Sequence, residues 1–137
     1  MLRRILAFLD GIRGTDDVGR RGERAAERYL RKRGLRVLHR NVRAGRGEID
    51  LVALDGRTMV FVEVKSRRGR TDDELTGFEN MDSRKCAALR RSCLLYRKKA
   101  PGIPDHYRLD VVTVRFGEGR RLEEIRWYPA VLDLDEG

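Results

Sequence analysis

Two apolar runs, GEIDLVAL over residues 47–54 and TMVFVEVKS over residues 58–66, stand on either side of Asp55-Gly56-Arg57. Asp-Gly between apolar segments is a strong hairpin signal, so the spacing predicts two antiparallel strands. Strand side chains alternate between faces. Val60, Val62 and Val64 therefore share one face, and Phe61, Glu63 and Lys65 share the other. Asp50 shares its face with Glu48, Val52 and Leu54. If Leu54 pairs with Met59, Asp50 sits directly opposite Glu63. If the turn is Asp55-Gly56 alone, the two are diagonal neighbours. Both registers put the two acids on one face.

Charges in the most apolar segment of a chain need a reason. A lone Glu-x-Lys is commonly a solvated strand face, but facing carboxylates repel and weaken a hairpin. A divalent cation removes that penalty. Mg²⁺ or Mn²⁺ takes oxygen ligands, often one or two carboxylates with water and substrate phosphate. Asp50 and Glu63 are thus candidate metal ligands, and Lys65 a candidate to orient or activate a water or to balance phosphate charge. Phosphodiester hydrolysis needs such an arrangement.

Upstream, residues 18–34 have helical periodicity and end on Gly34, a stop signal. Val18, Gly22, Ala25, Ala26, Tyr29 and Leu30 form its apolar arc. Glu23 falls at the arc's edge, where it can look toward the sheet, and Glu27 falls further toward solvent. Arg20, Arg24, Arg28 and Arg31 make a basic stripe suited to a phosphate backbone. LRVLHRNVR reads as a strand, DSRKCAALRRSCLLYRKK as a second helix, and YRLDVVTVRF and LEEIRWYPAVL as two further strands. The second helix has Cys86, Leu89, Cys93 and Tyr96 as its buried stripe. The order is helix, three strands, helix, two strands: one α/β domain with a sheet flanked by helices, over residues 18–130. Residues 1–17 read as a short helical or flexible segment and residues 131–137 as an acidic tail.

Thirty-one Lys and Arg against 22 Asp and Glu give a formal charge of +9. That sign suits polyanions, nucleic acid first. The apolar run of MLRRILAFLDGIRG stops at Asp10, short of a secretory core, with no cleavage site after it. No stretch approaches a membrane span of ~20 apolar residues. A cytoplasmic protein with no membrane partner is expected. Cys86 and Cys93 are too far apart along a helix for a disulfide, and isolated His39 and His106 make zinc improbable.

The pattern GERAAERYL…GEIDLVALDG…VFVEVKSR, with a helical Lys85 and RLDVV, closely resembles the YraN-like family of small bacterial proteins over residues 19–114. That family is similar to the archaeal-type Holliday-junction resolvases of the restriction-endonuclease-like, PD-(D/E)xK superfamily. The resemblance implies a mixed sheet of about five strands with helices on both faces, and pairing into a homodimer. It also implies a Mg²⁺- or Mn²⁺-dependent endonuclease acting on branched DNA. Carried over, Glu23 is the helical acid, Asp50 and Glu63 the metal ligands, and Lys65 the residue that handles the attacking water. Arg20, Arg24, Arg67, Arg68, Arg70 and Lys85 are then the candidate phosphate contacts. Two alternatives stay open: a nucleic-acid-binding module without turnover, and a protein-interaction factor that presents the N-terminal LRRILAFLDGI.

Overall fold

The computed structural model describes residues 16–45, 47–69, 83–99 and 104–135. Arg70 and the N-terminal segment up to residue 15 lie outside them, as does the side chain of Lys85. Helix α1 spans Asp16–Lys32, β1 Arg36–Ala44, β2 Gly47–Asp55 and β3 Thr58–Arg68. Helix α2 spans Ser83–Lys99, followed by β4 at His106–Phe116 and β5 at Leu122–Asp133. The five strands form one sheet in the order β1-β2-β3-β4-β5. Only β3 and β4 run parallel, so the sheet is mixed.

The apolar arc of α1 decides how that helix sits. Val18, Ala25, Ala26 and Leu30 are buried against Leu51, Val60, Val62, Val64 and Val112. Its end is fixed by chemistry legible in the sequence. Gly34 takes φ +94°, and Leu35 N–H donates to Leu30 O while Gly34 N–H donates to Arg31 O. This is a Schellman motif, and Leu35 and Leu30 supply the apolar contact that accompanies it.

On the opposite face, Leu89 and Cys93 of α2 pack with Val52, Met59, Phe61 and Leu109. The sheet is therefore a layer between two helices, with the three valines facing α1 and the Phe61 row facing α2. Strand β5 continues through Asp133 and Leu134 is fully buried, so the packed body takes in the first residues of the acidic end. Asp135 ties that end down by accepting from Tyr107 N–H at 2.6 Å. No helix among the described residues is long and apolar enough to cross a membrane.

Candidate active site

The β2–β3 hairpin pairs Leu54 with Met59 and Asp55 with Thr58 around Gly56-Arg57, which is the wider of the two expected registers. Gly56 makes the turn at φ +59°. The ladder ends at Leu51↔Val62. Asp50 and Glu63 would be the next pair, and there the strands cease to exchange backbone bonds. Asp50 substitutes its side chain: Oδ2 accepts from Val64 N–H at 2.8 Å. A carboxylate is thereby locked beside Glu63 at the open end of the hairpin.

Burial is the unusual property of this group. Asp50 is 7% exposed, Glu63 0% and Lys65 6%. Ionised groups are rarely so deep unless paired or bound. Glu63 continues the Met59–Phe61 row toward α2, with Val111 of β4 beside it and Thr113 beside Lys65. Thr113 is itself buried, a polar neighbour that the strand pattern alone did not single out. Desolvation brings Lys65 down to about 8, reinforced by Arg67 and opposed by Glu63. Burial, with the Glu63 charge adding to it, pushes the Cys93 thiol up. Cys93 therefore stays protonated.

The Lys65 shift has a direct consequence for stability. The unfolded chain holds the proton up to about 10.5, the folded chain only to about 8. Between those values the unfolded state binds more protons, so stability rises with pH across that window. Below it the full cost of the buried charge is present. Urea midpoints measured from pH 7 to 10.5 should show the rise, and Lys65→Met should flatten it.

The other expected site residues divide. Glu23 is half-buried on α1, which packs against the valine face, so it approaches from the layer opposite Glu63 and Lys65. Among the described residues no three of His, Cys, Asp and Glu converge as a ready metal cage. Glu27 is less solvated than the helical arc implied, with its side chain 15% exposed between Arg31 at 2.9 Å and Arg40 of β1. It is a structural ion pair. Arg20, Arg24 and Arg68 are exposed and Arg67 is partly buried. Two carboxylates on adjacent strands, with all-oxygen donors, suit Mg²⁺ or Mn²⁺ completed by water and phosphate. The residues fit the ion.

Asp110, in the RLDVV segment, is a second fully buried carboxylate with a different office. It accepts from Arg108 Nε at 2.9 Å, Trp127 Nε1 at 2.8 Å and Ala130 N–H at 2.8 Å. The β4–β5 register shifts between Leu109 and Val111, and Ala130 stands at φ +55°. The carboxylate satisfies the amide that this bulge removes from the ladder. Arg108 also reaches Asp55 at 3.1 Å, joining the bulge to the hairpin turn.

These features define a class: a small α/β domain with a mixed five-stranded sheet between two helices and a buried acid–lysine group on its central hairpin. The chain belongs to UPF0102, an uncharacterised protein family whose model matches residues 22–114. This is the YraN-like family that the sequence resembles. It is 41% identical over 118 residues to a UPF0102 protein of Mycolicibacterium vanbaalenii, covering 85% of this chain and 94% of the relative. A Symbiobacterium thermophilum relative is 45% identical over 105 residues, covering 77% and 87% of the two chains. One from Pseudomonas aeruginosa is 40% identical over 118 residues, covering 85% and 93%.

Proposed function

We propose that the protein is a metal-dependent endonuclease that hydrolyses phosphodiesters in branched or structured DNA. The observation that carries this reading is the grouping of Asp50, Glu63 and Lys65, all buried, at the open end of one hairpin. Asp50 and Glu63 would hold Mg²⁺ or Mn²⁺. When bound, such an ion supplies Lewis-acid polarisation of the phosphate and lowers the pKa of water. Asp50 is kept in place by Val64 N–H, so its carboxylate does not have to reorganise. Lys65, held near 8, exchanges a proton within reach of neutral pH. It can take one from an attacking water or, charged, hold a phosphate oxygen. Glu23 would act from the α1 side at the same open end, through water. Arg20, Arg24, Arg67 and Arg68, with Arg70 and Lys85, would contact flanking phosphates. A dimer would bring two such sites to one branched substrate.

The test is cleavage of labelled junction, flap and linear DNA with Mg²⁺ or Mn²⁺. Wild type should cut and Asp50→Ala should not. If the wild type cuts nothing that Asp50→Ala leaves intact, the reading fails. The complete burial of Glu63 favours a second reading, a binding module that keeps the charges locked. That module would bind DNA with a steep salt dependence, unaffected by EDTA.

A further inference from the structure

A close approach between α1 and the site-bearing strand is made by Gly22 and Ser66. A Cβ built on Gly22 would stand 1.7 Å from Ser66 Oγ and 2.8 Å from Ser66 Cβ. Side-chain rotation relieves the first clash and leaves the second. Glycine is a poor residue for a helix interior, and here it is what allows the helix to touch the strand. Ser66 Oγ is buried and has no hydrogen-bond partner among the described residues. Its hydroxyl fills the space facing Gly22 rather than satisfying a polar group.

The neighbours of the two contact residues give the contact its significance. Glu23 follows Gly22 directly, and Ser66 follows Lys65 directly. Any change in the Gly22–Ser66 distance moves the helical acid relative to the strand carrying Glu63 and Lys65.

We propose that Gly22 and Ser66 are a positioning pair whose contact sets the approach of α1 to the end of β3, and so sets where Glu23 stands relative to Glu63 and Lys65. The inference rests on the nuclease reading of the site. It makes the spacing between helix and strand, and not the acids alone, a determinant of cation binding.

The experiment is calorimetric titration of the full chain with Mn²⁺ in the absence of DNA. Gly22→Ala should weaken binding by about 10–100-fold, the usual effect of disturbing groups that orient a metal site. Gly22→Ala/Ser66→Gly, which removes both clashing atoms, should recover most of the affinity. In a Glu23→Gln background, Gly22→Ala should weaken binding no further, whereas a general structural defect would weaken it equally there. Unchanged affinity in Gly22→Ala, an equal loss in both backgrounds, or no recovery in the double variant overturns the proposal. Should circular dichroism show Gly22→Ala unfolded, Ser66→Gly loosens the same contact without adding atoms, and wild-type affinity in that variant overturns it. A wild type that binds Mn²⁺ while Gly22→Ala is unaffected defeats the positioning pair alone. A wild type that binds no Mn²⁺ defeats the nuclease reading with it.

Discussion

Glu63→Leu/Lys65→Met should lose cation-dependent cleavage and yet be as stable as the wild type or more so. Glu63 is 0% exposed and Lys65 6% exposed, in a row that otherwise reads Met59 and Phe61. Two charges taken out of water lose several kcal/mol of hydration, and their mutual attraction offsets that only with excellent geometry. Replacing a buried ion pair by apolar residues of similar volume is often neutral or stabilising by about 1–4 kcal/mol. Loss of one proton-handling group typically lowers a rate by about 10²–10⁴-fold, and here a carboxylate goes as well. A raised urea midpoint together with absent cleavage would mean that the pair is kept for chemistry at the expense of stability. A large drop in midpoint would instead make Glu63 and Lys65 part of what holds the fold.

The opposite outcome is expected at Asp110. Asp110→Ala should destabilise the protein by about 3–5 kcal/mol, the cost of breaking a buried charge pair by removing one partner. Arg108 would lose its bidentate acceptor while keeping only Asp55, and Trp127 Nε1 and Ala130 N–H would be left without theirs. Asp110→Asn preserves the shape but places an amide where donors converge, so it should recover only part of the loss. Urea unfolding checks both variants. The two substitutions at Glu63/Lys65 and at Asp110 thus separate carboxylates of equal burial by what surrounds them.

Much of this was readable from local pattern. The 2-residue alternation puts Asp50 and Glu63 on one face in either register, whereas the register itself, Leu54↔Met59 with the turn at Gly56-Arg57, comes from the structure. The apolar arc of α1 comes from its 3.6-residue period, and its end from Gly34. What escaped depends on groups distant in sequence. Arg40 of β1 covers Glu27, so a helical wheel alone assigns that acid to solvent. The register shift between Val37 and His39 interrupts the ladder of β1 in a way no apolar count foretells. The task of Asp110 arises from a bulge 20 residues later, and Thr113 becomes Lys65's neighbour only through parallel pairing. The Gly22–Ser66 contact likewise needs the helix and strand already docked.

That single parallel pairing also bears on how the chain assembles. Antiparallel β1, β2 and β3 are joined by short turns, and β4 and β5 by a short 3-10 segment at 118–120. Each group can form from neighbours in sequence. The seam between them cannot: Arg57 and Asp105, which pair at its start, are 48 residues apart. Closing a loop of that length has an entropic cost that must be met before the contacts repay it. Glu63 and Lys65 lie on the β3 side of the seam, against Val111 and Thr113. Until β4 docks, both charges remain hydrated. Docking of β4, the most non-local pairing of the sheet, therefore contributes to the desolvation that lowers Lys65.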